Sequence, residues 1–442
     1  FFPPIFSSSS LCGAIVRQAS TLFGAFIVAI ASGPPKIFGM RASGVQLANM
    51  TRLIPRILWI RFTETECRSS GWWANQIALF HKATYPLMHM KHLFLFFVLN
   101  SALLASGAQW NQFRGPNGEG KTDANLPLKF GEGKSVTWKT PMPGKAWSSP
   151  VIWGNQIWFT NAEKDGHKLW AVCLDAKTGK VLHNKLVFEI AKPQKSPVSM
   201  NSYASCTPVI EEGRVYVSFG AHGNACLDTK NGAIIWQRQD KELYCDHFRL
   251  PASSPILHEG LMYLLFDGAD KQFVVALDKK TGKTKWLHKR AFDYRTNNGD
   301  RKKAYGTPVV FTHKGQAQLV APAGVATEAL DPTSGKLLWT ASTGGMNASG
   351  LPQYGHGLVF VNNGMGSMSA ISPDGKGNVE AVWSTRRNIP KKSSMILHGP
   401  HLYMVADTGV ASCMDAKSGK SLWSERLDAG QFAASPILSK GR

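Results

Sequence analysis

From residue 138 onward the apolar positions fall in short runs, each stopped by a turn signal. Val151-Ile152-Trp153 ends at Gly154, Ile157-Trp158-Phe159 follows it, and residues 169–174 run into Asp175. Runs of this length, rich in Val, Ile, Leu, Tyr and Trp and bounded by Gly, Pro and Asp, predict β-strands. Helix-favouring Ala/Glu/Lys/Leu stretches are scarce. The chain is therefore expected to be all-β.

The runs repeat. One element reads small-Leu-Asp-x-x-(Thr/Ser/Asn)-Gly, with Trp eight residues after the Asp. It occurs at Cys173-Leu174-Asp175 with Gly179 and, in the Trp slot, His183. It recurs at Asp228, Gly232 and Trp236, at Asp278, Gly282 and Trp286, at Asp331, Gly335 and Trp339, and at Asp415, Gly419 and Trp423. A degenerate copy, Ala370-Ile371-Ser372-Pro373-Asp374-Gly375, leads to Trp383. A second element alternates with the first: a small pair, Pro, an apolar strand, a Gly turn and another apolar strand. Its copies begin at Ser148-Ser149-Pro150, Cys206-Thr207-Pro208, Ser253-Ser254-Pro255, Gly306-Thr307-Pro308 and Gly350-Leu351-Pro352; Ser393-Ser394-Met395 lacks the Pro, and Ala434-Ser435-Pro436 starts a seventh.

Two strands from each element make a four-stranded unit. The Asp residues are spaced 53, 50 and 53 apart, then 84 across the degenerate copy, close to one propeller blade of about 40–50 residues. Pro opens the first strand, where a missing N–H is tolerated. The Asp side chain accepts turn N–H groups and Gly supplies the positive φ. A Trp on each outermost strand suits packing between adjacent blades. The predicted fold is a β-propeller of four-stranded blades, about six and a half of them present. Residues 136–140 are read as the closing outer strand. Closure of such a ring takes seven or eight blades, of which resemblance to a known repeat family favours eight with seven as the alternative, so the chain is expected to be cut short at its C-terminus.

The Ala-Leu-Asp-x-x-Thr-Gly-x-x-x-Trp unit resembles the PQQ-like (pyrroloquinoline-quinone-like) repeat, found in quinoprotein dehydrogenases and in the outer-membrane assembly propeller lipoprotein. Trp110-Asn111-Gln112-Phe113-Arg114-Gly115-Pro116-Asn117-Gly118 is similar to the mature start of a secreted planctomycete-type subgroup. The resemblance covers 109–442 and speaks to fold rather than activity. In the dehydrogenases it implies PQQ over Ca²⁺, a vicinal Cys-Cys pair on one cofactor face, a stacked Trp on the other, and a Glu/Asn/Asp metal set. This sequence has no adjacent cysteines and no recognisable equivalent set.

The remaining features refine this picture. Residues 1–87 show no sustained period and read as upstream read-through. Residues 88–108 read as a signal peptide: Met88 or Met90, Lys91, an apolar stretch, and Ser106-Gly107-Ala108 before Gln109. The alternative is an anchor at 22–31. The expected location is periplasmic or extracellular, with no membrane span in the mature chain. Cys173, Cys226 and Cys413 occupy the slot that is Ala276 and Ala329 in sister repeats, and Cys206 sits where Ser148 and Ser253 sit, so these read as small packing residues. Cys245 breaks the pattern and leaves a disulfide open; Cys12 and Cys67 precede the repeats. Net charge is +21, of which about +14 lies beyond residue 108. Many lysines merely solvate turns, and no basic run is interleaved with aromatics as a nucleic-acid groove requires.

Loops entering the innermost strands rim the central funnel, where propellers place ligands. The candidate ligand residues are Asn201, Tyr203, His247, Arg249, Tyr305 and Asn347. Arg249 is suited to bidentate carboxylate or phosphate binding, and His247 to metal ligation or titration near neutral pH. No catalytic triad, paired carboxylates or metal site can be assigned, and no cofactor is expected. Three readings stand: a binding or scaffold propeller for a protein or polysaccharide partner, a PQQ/Ca dehydrogenase of an alcohol or sugar, and a basic anion-binding surface protein.

Overall fold

Each of the six complete copies forms four antiparallel strands of one sheet. The computed structural model describes residues 109–131, 133–196, 201–427 and 430–442; the readings at 1–87, at 88–108 and at Cys12 and Cys67 lie outside them. Blade 1 comprises Val151–Trp153, Gln156–Ala162, Lys168–Asp175 and Val181–Glu189, joined in that order. Blade 2 runs Val209–Glu211 to Ile234–Arg238, blade 3 Ile256–His258 to Thr284–Lys289, and blade 4 Val309–His313 to Leu337–Ser342. Blade 5 runs Gln353–Gly355 to Ala381–Thr385 and blade 6 Ile396–His398 to Ser421–Arg426. The protein is a β-propeller. Beyond blade 6, Leu438–Ser439 pairs in parallel with Lys121–Thr122.

The repeat motif has a geometric reason at every position. Asp175 Oδ1 accepts from the Lys177 and Thr178 backbone N–H groups and from the Thr178 hydroxyl, and Asp278 and Asp331 do the same in their own turns. The small residue before Leu faces the Trp across the sheet: Cys226 opposite Trp236, Ala276 opposite Trp286, Cys413 opposite Trp423. A larger side chain there would collide with the indole. A β-bulge follows directly, adding twist to the outer strand pair. All five described cysteines, Cys245 included, are free and buried.

The Trp then reaches into the next blade. Trp236 Nε1 donates to Lys279 O and the ring lies over Gly282; Trp286 donates to Pro332 O over Gly335. Gly335 is needed twice: φ is +72° and a Cβ would meet the indole at 2.6 Å. Trp383 repeats the arrangement on Ala416 and Gly419. His183, in the Trp slot of blade 1, lies over Gly232.

One expectation is corrected. Residues 136–140 form no strand. Their Trp138 instead takes the docking slot on blade 1, with Nε1 donating to Ala176 O and the ring over Gly179. The copy at Ser372 is irregular because Gly377–Val379 adds a fifth, parallel strand to blade 4. Trp339 is fully buried and donates to Gln318 Oε1, whose amide in turn donates to Pro373 O.

Removing a docked indole should cost more than removing an undocked one. Trp236→Ala, at a residue 8% exposed, should lower unfolding free energy by about 3–5 kcal/mol. Trp423→Ala, at 43% exposure, should cost less than about 1 kcal/mol. Urea titrations of both variants check this; equal losses would refute inter-blade docking as the source of the Trp repeat.

Candidate functional site

A second contact set joins the blades at their inner ends. In every copy but the one at Leu351 the second residue of the small pair carries a hydroxyl, and in five contacts that oxygen accepts the backbone N–H of its counterpart one blade earlier. Ser149 N–H donates to Thr207 Oγ1, Thr207 N–H to Ser254 Oγ, and Ser254 N–H to Thr307 Oγ1, at 3.0–3.1 Å. Leu351 N–H donates to Ser394 Oγ and Ser394 N–H to Ser435 Oγ. Leu351 has no hydroxyl to offer, which interrupts the series at blade 5. The recurring Ser/Thr before Pro is the sequence signal for this ladder.

The ladder encircles a central cavity of about 1190 Å³, lined by Ser149, Thr207, Ser254, Thr307 and Ser435. The Trp110-to-Gly118 motif crosses the inner strands as a strap. Trp110 pairs with Ile152 of blade 1, Asn111 O accepts from Ile210 N–H of blade 2, and Gly118 O accepts from Gln353 of blade 5. Arg114 donates to Met395 O and Pro436 O. Trp110, Phe113 and Arg114 thereby line one end of the cavity. The sequence reading used this motif only as a resemblance and did not place it in the site.

Four of the six rim candidates line the cavity: Asn201, Arg249, Tyr305 and Asn347. Arg249 does not present a free fork. Its Nε and Nη2 already hold the Asp300 carboxylate at 2.7 and 2.8 Å, which raises its pKa further, and its carbonyl accepts from Asn201 Nδ2. Asn347 stands at φ +58° with its N–H on Lys303 O. Its Oδ1 and the Tyr305 hydroxyl are buried without a partner, and burial pushes the Tyr305 phenol up.

Tyr203 and His247 do not reach this cavity. Tyr203 donates to Gln194 O at 2.6 Å, with its ring over Gly166. His247 is 5% exposed; its Nε2 accepts the Ala221 N–H at 3.0 Å. Desolvation, together with His222 and Lys303, brings its pKa down to about 3. The imidazole is therefore neutral near pH 7 and structural, which corrects the expectation of a metal ligand or a near-neutral switch. Below it, Lys303 is fully buried, donates to His247 O and sits 5.0 Å from the Tyr305 ring. Desolvation lowers its pKa to about 8.

The sequence reading missed Asp300, Lys391, Lys392, Asp407 and Trp147, all cavity-lining. None belongs to a repeat motif. Asp407 pairs with Lys392 at 2.9 Å and accepts the Lys391 backbone N–H. Both acids among the described lining residues are thus engaged by cations. Among the described residues no three His, Cys, Asp or Glu side chains are grouped to hold a metal ion. The calcium donor set implied by the resemblance to quinoprotein dehydrogenases does not fit the residues present. Nor does any helix of the described residues have the length and apolarity to cross a membrane.

Residues 130–239, 171–324 and 323–442 match the family PQQ_2, described as outer membrane protein assembly factor BamB. No curated protein matches the sequence. Similar solved structures include BamB from Moraxella catarrhalis, at 17% identity over 67% of this chain and 79% of that one, TM-score 0.48. A europium-containing methanol dehydrogenase aligns at 12% identity over 75% of this chain and 87% of that one, TM-score 0.44. The quinohemoprotein alcohol dehydrogenase from Comamonas testosteroni aligns at 12% identity, with 68% and 70% covered, TM-score 0.40.

The neutral His247 sets a pH dependence. Unfolded, its imidazole protonates near 6.5; folded, near 3. Between these values the unfolded state binds more protons, so stability falls as pH falls below about 6.5. In His247→Gln the decline between pH 6.5 and 5 should be shallower by up to about 1.4 kcal/mol per pH unit. Urea midpoints across that range, compared with the parent protein, are the check; parallel curves would contradict a neutral buried imidazole.

Proposed function

The chain belongs to the PQQ_2 family of BamB-like propellers, and from that premise we propose that it is a binding or scaffold propeller of the cell envelope, taking a protein partner at the mouth of its central cavity. The observation that carries this reading is the state of the cavity acids. Asp300 and Asp407 are committed to Arg249 and Lys392, which leaves binding surface without a metal-held redox centre. The rim is built for contact. Phe248 is exposed at 37%, held at φ +48° between the Arg249 and Lys303 cations, and Met365 is exposed at 48%. A non-Gly residue in the left-handed region persists only where its surroundings impose it. Here the Arg249–Asp300 pair and the bond from Lys303 to His247 O supply that constraint. The family and the leader expected at 88–108 support a periplasmic or extracellular setting.

The full-length tagged chain should recover a defined protein from the envelope fraction, and the double variant Phe248→Asp/Met365→Asp should lose at least tenfold of it while keeping the parent melting temperature. Recovery insensitive to the rim variant would count against the site. PQQ plus Ca²⁺ yielding bound quinone absorbance and alcohol oxidation would overturn the reading in favour of a dehydrogenase, and a partner that proved to be a polysaccharide would replace the protein.

A further inference from the structure

Arg114 is 1% exposed, yet no carboxylate among the described residues pairs with it. Its guanidinium is held by two backbone carbonyls, Pro436 O at 3.1 Å and Met395 O at 3.3 Å. Its Nε–H is buried with no acceptor. A guanidinium has five donors, and burying a cation without a counter-charge is costly. The cost appears as a pKa brought down to about 10 by desolvation alone. The position is nonetheless imposed. Arg114 adopts φ +64°, and any Cβ at Gly120 would collide with its Nη2.

The other charges of the same cavity sharpen the point. Arg249 and Lys392 are neutralised by Asp300 and Asp407, whereas Arg114 and the Lys391 ammonium have no acidic partner among the described residues. Among the described residues the cavity lining therefore carries more positive than negative charge, and Trp147 is part of the same lining. Tyr305, another lining residue, has a buried hydroxyl without a partner.

We propose that the cavity binds a compact ligand bearing a carboxylate or phosphate, and that this oxyanion pairs with Arg114 at the strap. The proposal deepens the binding reading by naming the chemistry of what enters the cavity, and it rests on that reading. It also gives the strap a role: blades 1, 2 and 5 hold its backbone and the Met395 carbonyl of blade 6 holds the guanidinium, so that Arg114 is fixed in place.

Calorimetric titration of the full chain with citrate and with inorganic phosphate tests this. Saturable binding that weakens as NaCl rises is expected, as charge pairing requires. Arg114→Gln should lose at least tenfold in affinity, and Arg114→Lys, which keeps the charge but not the planar fork, should keep part of it. Preference between the two anions separates a carboxylate ligand from a phosphate one. Should Arg114→Gln fail to fold, crystals of the parent protein grown with citrate or phosphate decide the matter: an oxyanion within hydrogen-bond distance of Arg114 supports the proposal, and an anion only elsewhere overturns it. Unchanged affinity in Arg114→Gln overturns it as well. So does the absence of any oxyanion binding in a protein that still captures its envelope partner, an outcome that leaves the binding reading intact.

Discussion

A four-stranded sheet with apolar side chains on both faces cannot stand alone in water, and in this protein the contact that resolves the problem is an indole laid on a neighbour's glycine turn. Trp236 on Gly282, Trp286 on Gly335 and Trp383 on Gly419 each join a hydrogen bond to a close approach that only glycine permits. The cysteine and alanine slots follow from the same contact, because the residue opposite the indole has to be small. The turn aspartates follow too. They shape the turn whose carbonyl and glycine receive the indole.

At the inner end the join is polar. Except at Thr307, which faces Leu351, the backbone N–H groups of the ladder find a hydroxyl on the next blade, so donors that would otherwise be orphaned between packed strands are satisfied. The two joins divide the work. Apolar docking at the rim supplies burial, and the hydroxyl ladder sets the spacing of the innermost strands and hence the bore of the cavity. The strap then crosses that bore and brings Arg114 to one end of it.

Electrostatics decides which loop residues remain available to a ligand. Arg249 had the right chemistry for an anion, but Asp300 occupies its fork. Lys303 is spent on holding the turn at His247 and Phe248. What is left is the Lys391 ammonium and Arg114, whose burial without a carboxylate partner among the described residues contrasts with Arg290, held by Asp267 and Glu328 at 2.7 and 2.9 Å between blades 3 and 4. The same fold thus contains a guanidinium closed off by its own carboxylates and another left unpaired beside a cavity.

By itself the sequence determined the blade. Strand runs, the Asp-x-x-Thr-Gly turn, the Trp eight residues on and the Ala-like cysteines are local signals, read within one repeat and set by backbone sterics and side-chain size. The funnel was legible in outline, since Asn201, Arg249, Tyr305 and Asn347 do line it. Tyr203 and His247 were indistinguishable from them in sequence, because whether a loop side chain faces the channel or the blade beneath depends on packing partners from elsewhere. Only the tertiary structure decided the rest. The Arg249–Asp300 pair spans 51 residues, and the bond from Arg114 to Pro436 O spans 322. Contacts of that separation exist only once the blades are packed side by side, so no local pattern could assign Arg114 to the cavity or show that backbone carbonyls hold its guanidinium.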